Sequence, residues 1–407
     1  MSDRTVVLVG TLDTKGDEYA YLCARLHLHG VNTLLVDAGT LEPPRTEPDI
    51  DRLEVAAAGG VDLDALIRAR DRGEAVSAMA RAAAALIRRL YDEGRCDGVL
   101  AAGGSGNTAI ATAAMQALPV GVPKLMVSTV AAGNTRDYVG ASDVAMMASV
   151  TDVAGINSIS GRILANAAAA MAGMVQAPPL DLPEQRPLIA ATMFGVTTPC
   201  VTAAREILEE RGYEVLVFHA TGTGGDAMEG LIDSGFITAV LDITTTELCD
   251  QLVGGVLAAG PNRLAVAGRK GLPQVVSLGA LDMVNFGARD TVPPQFEGRN
   301  LYVHNPSVTL MRTTPDECVE LGRIIAGKLS GASGPVALFM PLNGVSAIDV
   351  EGGPFHDPAA DQALFDALRE NLEDHVELHE LEHNVNDPEF ARAMVDKLLE
   401  YVEERDS

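Results

Sequence analysis

A chain of 407 residues that is 47% apolar holds enough material for the cores of two domains. Its 56 acidic residues against 30 basic ones leave a net charge of −26, a field that repels polyanions and excludes nucleic acid as an expected partner. Cys23, Cys96, Cys200, Cys249 and Cys318 are widely spaced and form no CxxC pair, which predicts reduced thiols in a cytoplasmic protein. No apolar stretch reaches transmembrane length, and Met1–Arg4 leads directly into a strand with no room for a signal peptide.

In chain order, Thr5–Gly10 is a buried apolar run that breaks into the polar loop Thr11–Gly16. A helical stretch, Gly30 and a second apolar run ending in Asp37 follow. Leu41–Asp51, with Pro43, Pro44 and Pro48, reads as a surface excursion, and Glu74–Glu93 has helical apolar spacing. The strand Gly98–Gly103 then opens into Gly103-Gly104-Ser105-Gly106-Asn107-Thr108 and the alanine-rich helix Ala109–Ala117. Another strand, Pro123–Ser128, precedes a small-residue helix over Ser160–Met174.

After the prolines at 178, 179, 183 and 187 the pattern repeats. Pro187–Thr198 mirrors the first strand and loop, with Gly195 taken as the equivalent of Gly10, and the next run ends in His219 where the first copy has Asp37. Ala239–Thr246 aligns with Gly98–Ser105, and Pro273–Ser277 with Pro123–Ser128. This predicts an α/β protein of two tandem Rossmann-like subdomains with mostly parallel sheets, related as an internal repeat. The divisions are 1–177, a proline-rich linker over 178–187, and 188–407. The tail from 357 predicts two amphipathic helices. Between them His375, His379 and His383 have the spacing of a helical metal trio, but Val376 and Leu378 alternate with charges and favour a short strand.

Polar strand ends are where parallel sheets build sites. Gly103, Gly104, Ser105, Gly106, Asn107 and Thr108 turn tightly into a helix N-terminus, whose N–H groups and partial positive charge suit phosphate. The competing reading is a glycine-rich turn with a threonine cap. Gly10, Thr11, Asp13, Thr14 and Lys15 stand at the neighbouring strand end and match neither the Walker A nor the dinucleotide fingerprint. Lys15 can meet a phosphate as a point charge and Asp13 can hold Mg²⁺, or the two simply belong to a capped turn. Asp37 takes the place of a ribose-binding acid, and Ser128 and Thr129 close the fourth strand.

In the second copy the corresponding places carry Thr197 and Thr198; His219, Thr221, Gly222, Gly224 and Gly225; and Asp242, Thr244, Thr245, Thr246 and Glu247. His219 is the natural general acid–base, with Asp242 or Glu247 to orient it, and the surrounding threonines and glycines form a substrate site. The alternative is a structural histidine beside a capping threonine run. His304 and Arg312 add a further polar cluster, Arg312 being suited to grip an anion.

These residues also carry a resemblance. GTLDTKGDE at 10–18, GGSGNT at 103–108, the long stretch 127–157 and TMFGVTTP at 192–199 belong to it. So do VLVFHATGTGGDAME at 215–229, LDITTTEL at 241–248, SLGALDMVNFG at 277–287 and HNPSVTLMRTT at 304–314. Over essentially its whole length the chain resembles a family of bacterial, fungal and plant proteins that includes the ATP-binding domain of the tomato mosaic virus resistance protein. The resemblance implies a two-subdomain α/β fold, ATP in the N-terminal copy and homodimers. Asn107 departs from the glycine expected in that turn, and Ser160-Gly161-Arg162 from the expected serine–arginine run. Two function classes follow. One is an ATP- and Mg²⁺-dependent enzyme acting on a small anionic metabolite in the second subdomain. The other is a nucleotide-gated binding or regulatory protein without chemistry of its own.

Overall fold

The computed structural model describes residues 4–178 and 186–406. The chain divides into two compact units, residues 1–181 and 182–407, and most of the proline-rich stretch between the predicted subdomains, 179–185, lies outside the described residues.

The first unit runs β1 (Thr5–Gly10), α1 (Leu12–Leu28), β2 (Asn32–Asp37), α2 (Arg52–Ala58), α3 (Leu63–Ala69), α4 (Arg72–Asp92), β3 (Gly98–Gly103), α5 (Ser105–Gln116), β4 (Lys124–Ser128), α6 (Arg136–Val139), β5 (Ala145–Ala148) and α7 (Ser160–Gln176). Its strands form one parallel sheet in the order β2-β1-β3-β4-β5. Continuous apolar runs make these strands because helices cover both faces. Val6 and Leu8 pack against α1 and α7, while Val7 and Val9 pack toward α4 and α5. Leu41–Asp51 is largely exposed loop, as its prolines predict.

The second unit opens with β6 (Leu188–Met193), α8 (Thr198–Glu210), β7 (Glu214–His219), α9 (Thr223–Asp233), β8 (Ala239–Thr244), α10 (Glu247–Val253), α11 (Val266–Arg269) and β9 (Gln274–Gly279). It continues through β10 (Met283–Phe286), β11 (Leu301–Asn305), β12 (Val308–Arg312), α12 (Pro315–Ser330), β13 (Val336–Pro341), α13 (Pro358–Asn371), β14 (Glu377–Leu381) and α14 (Pro388–Asp406). The main parallel sheet is ordered β14-β13-β9-β8-β6-β7, and β10-β12-β11 form a separate antiparallel sheet.

Register establishes the repeat. Thr5 pairs with Asn32 as Leu188 does with Glu214, Val6 with Gly98 as Ile189 with Ala239, and Val99 with Lys124 as Val240 with Gln274. The alignments of 98 with 239 and 124 with 274 therefore hold. One does not: Gly10 pairs with Asp37 while Met193 pairs with His219, so Gly10 corresponds to Met193 and not to Gly195. Matching glycine to glycine slipped the loop by two residues, because β6 ends before Phe194 and Gly195 already belongs to the turn.

Of the three histidines near the C-terminus, His379 lies in a strand, β14, with His375 in the turn before it and His383 in the bend after it. The His379 ring is stacked on Phe339 at 4.4 Å between centroids. Residues four apart on a strand are separated by about 13 Å, too far to share one ion.

Candidate functional site

In the first unit the strand order reverses direction between β1 and β3, the crevice where open α/β sheets bind ligands. The two loops meeting there are Gly10–Lys15 and Gly103–Thr108. Asn107 ties them together: its Oδ1 accepts the Thr11 N–H at 3.0 Å, and its Nδ2 donates to Tyr19 Oη and the Ala102 carbonyl, both at 2.9 Å. Tyr19 Oη donates in turn to the Val9 carbonyl. The residue that departs from the expected glycine is thus a buried crosslink between β1 and β3, 5% exposed.

Helix α5 has Gly104 as its N-cap with no side chain capping it, so the threonine cap of the competing reading is not formed. The Thr108 hydroxyl instead donates back to the Gly104 carbonyl and pairs with Ser128 Oγ at 2.7 Å. Thr108 and Ser128 are fully buried and serve the turn, whereas Ser105 and Thr129 are exposed at its mouth. A Cβ placed on Gly104 meets nothing nearer than Thr129 Oγ1 at 3.8 Å, so open space lies in front of this helix start. By contrast, a Cβ on Gly103 lies 2.7 Å from that of Asn107, and one on Gly10 lies 2.2 Å from the Tyr19 ring.

Two expectations in this unit need correction. Asp37 does not reach outward as a ribose acid: it is fully buried, and its Oδ1 accepts the N–H groups of Leu12 at 3.1 Å and Gly39 at 2.9 Å. Lys15 does not stand over the phosphate turn, because its ammonium donates to the Val153 carbonyl. Thr11 and Thr14 bond each other at 3.0 Å. Asp13 is 4% exposed and accepts the Leu41 N–H through Oδ2, while its Oδ1 and Asp37 Oδ2 are buried without a partner. Burial first, and the Asp13 charge after it, raise Asp37 above the usual carboxylate range.

The second unit separates the residues that sequence spacing grouped. Side chains alternate across a strand, and Thr192 and Asp242 face α9 while Met193, Val217 and His219 face α8. His219 and Asp242 therefore lie on opposite faces of the sheet, with β6 between their strands, and no His219–Asp242 dyad exists. Asp242 and Glu247 both belong to Arg263, a fully buried guanidinium whose Nη2 donates to Asp242 Oδ1 at 2.7 Å and whose Nε donates to Glu247 Oε2 at 2.6 Å. Arg263 also bonds Asp242 Oδ2 and lies 3.7 Å from Glu229. Glu247 Oε1 accepts the N–H groups of Gly222 and Gly225, so those glycines serve the carboxylate rather than a substrate. Burial, offset in part by Arg263, raises Glu229 and Glu247 above their ordinary values.

The threonines turn inward too. Thr197 Oγ1 and Thr244 Oγ1 pair at 2.7 Å, Thr245 Oγ1 donates to the Ser277 carbonyl, and Thr246 Oγ1 to that of Met283. Thr221 Oγ1 donates to the His219 carbonyl, against which Gly224 also packs so closely that a Cβ has no room. Thr198 alone of the two β6-loop threonines is exposed. His304 lies exposed on β11. Arg312 on β12 is not free to grip an anion: it donates to Asp361 Oδ1 at 2.6 Å and to the Phe355 carbonyl, and lies 3.8 Å from Asp349. Beside it Asp282 is pushed up to about 7 and Asp361 to about 6, by burial that the Arg312 charge only partly offsets.

His219 instead borders a shallow pocket of about 260 Å³ with Met193, Thr198, Val201, Thr202, Arg205 and Val217. Thr202 and Arg205 were absent from the sequence reading, yet Thr198, Thr202 and Arg205 stand at i, i+4 and i+7 on one face of α8. Nothing local marked Arg263, Glu229 or Asp282, whose partners are distant in sequence.

The first unit coincides with the N-terminal domain of the "Uncharacterised protein family (UPF0261)", matched over residues 4–179, and the second with its C-terminal domain, matched over 186–402. The chain belongs to this family. A family member from Clostridium tetani is 52% identical over 98% of this chain and 100% of its own length, and one from Rhizobium meliloti is 50% identical over 96% and 98%. The "ToMV resistance protein Tm-1(GCR237)" of Solanum lycopersicum is 41% identical over 97% of this chain, which spans 55% of that protein. Among the described residues of this family member, no helix is long and apolar enough to cross a membrane.

Proposed function

We propose that the protein binds Mg·ATP at the C-terminal edge of the first unit's sheet. The observation that carries this reading is the uncapped start of α5 at the β1/β3 crevice, with open space before Gly104. Helix N–H groups and the helix dipole favour phosphate oxygens there, whatever the net charge of the chain. Asp13 fits Mg²⁺, since its Oδ1 is a buried hard ligand without a partner; Mg²⁺ commonly takes one or two protein carboxylates and completes its shell with phosphate and water. The bound ion would neutralise phosphate charge. Gly104, Ser105 and Gly106 would orient the phosphates, and the Asn107 crosslink would hold the two loops at a fixed spacing.

Of the two function classes, the geometry favours a nucleotide-gated binding protein, because Asp242 and Glu247 are bound to Arg263 and His219 has neither as a partner. The pocket beside His219 supports a small anionic ligand in the second unit. Calorimetric titration of the full chain with Mg·ATP, ADP and AMP tests the first claim. Affinity should fall as phosphates are removed, and equal affinity for the three, or no heat, overturns it. Steady ATP consumption with a metabolite would restore the enzyme reading.

A further inference from the structure

The repeat places the His219 pocket at the second unit's counterpart of the first unit's Asp13–Asp37 corner. Asp37 ends β2 beside the start of α1 and His219 ends β7 beside the start of α8, in matching register. In the first unit this corner is acidic, with the Leu41 N–H bound to Asp13 and both carboxylates buried. In the second it is open and its polar groups are of the other kind: His219, Arg205, Thr198 and Thr202 stand exposed at the rim. None of the seven lining residues is acidic, in a chain with 56 acidic residues. The floor is apolar, made by Met193, Val201 and Val217.

Arg205 is available. Its contact with Glu209 spans 3.6 Å, and both side chains are about half exposed, 46% and 49%; such surface pairs hold weakly and exchange readily. Among the described residues no side chain bonds either His219 ring nitrogen, so the imidazole is also open to a ligand.

We infer that this corner binds a small organic carboxylate, its carboxylate on Arg205 and His219 and its short aliphatic body on Met193, Val201 and Val217. A planar guanidinium takes a carboxylate through two parallel N–H bonds, and Arg205, the one arginine or lysine of the lining, balances a carboxylate's single charge but not the roughly −1.5 to −2 of a phosphate monoester at pH 7. The volume, about 260 Å³, is below the usual range for drug-sized ligands and restricts the body to a few carbons. The inference rests on the reading of an anionic ligand in the second unit and is independent of nucleotide binding in the first.

The test uses the full chain, with ¹H–¹³C correlation spectra of the histidine rings during titration by butyrate, propyl phosphate and butyramide. Mg·ATP calorimetry is run on the same samples. Butyrate should shift the His219 signal saturably, with propyl phosphate and butyramide at least tenfold weaker. Arg205→Gln, at an exposed position, should keep the wild-type melting temperature and lose at least tenfold in butyrate affinity. Preference for propyl phosphate, an unmoved His219 signal, or equal butyrate binding by Arg205→Gln overturns the inference. Mg·ATP binding in those samples then shows whether the nucleotide reading stands without it.

Discussion

Gly104→Val separates nucleotide binding from folding. At Gly104 the backbone has φ −85° and ψ −171°, extended geometry that any residue adopts, and a Cβ there has no neighbour within 3.8 Å. The fold should accept the side chain. Replacing an N-cap glycine by an apolar residue costs up to about 1 kcal/mol. The isopropyl group would, however, fill the open space at this helix start, where the proposed phosphate would bind. Affinity for Mg·ATP should fall at least tenfold, about 1.4 kcal/mol, with Gly104→Ala intermediate. Thermal melts and titration calorimetry on the same preparations read both quantities. Gly103→Ala is the contrast: its Cβ meets Asn107 at 2.7 Å, so it should lower the melting point. If Gly104→Val melts like wild type and binds Mg·ATP with unchanged Kd, the phosphates do not sit on α5.

Arg263→Met should destabilise the second unit by about 3–5 kcal/mol, since it leaves buried carboxylates without their cation; denaturant unfolding reads this, and a loss below about 1 kcal/mol would show that those acids are neutral in the native state. Asn107→Ala removes the partners of the Thr11 N–H and the Ala102 carbonyl and should cost about 1–3 kcal/mol by the same measurement. Asp282 and Asp361, at about 7 and about 6, lie above the unfolded value near 3.9, so the folded state holds the extra protons. Their stabilising contribution is complete below about pH 4 and is lost as pH rises through 6 to 7. Asp282→Asn should flatten that fall in melting temperature between pH 5 and 8, and an unchanged slope would locate the protons elsewhere.

Local pattern was enough to read the two copies, their buried strands and the glycine-rich start of α5, because strand and helix periodicities and the Gly103-Gly104 turn are properties of adjacent residues. The strand at β14 was legible on the same grounds, whereas α5 begins at Ser105, four residues before the alanine run where the pattern placed the helix. Which polar strand ends face one another was not. Asp242 and His219 both close strands, but one strand points its acid toward α9 and the other its imidazole toward α8, and that depends on where each strand ends in the sheet. Arg263 reaches Asp242 and Glu247 across 21 and 16 residues of chain, through a loop with no pattern of its own. The threonine run at 244–246 reads as a substrate edge in one dimension. In three dimensions its hydroxyls are consumed by carbonyls of neighbouring strands, because buried polar groups must find partners inside the protein once water is excluded.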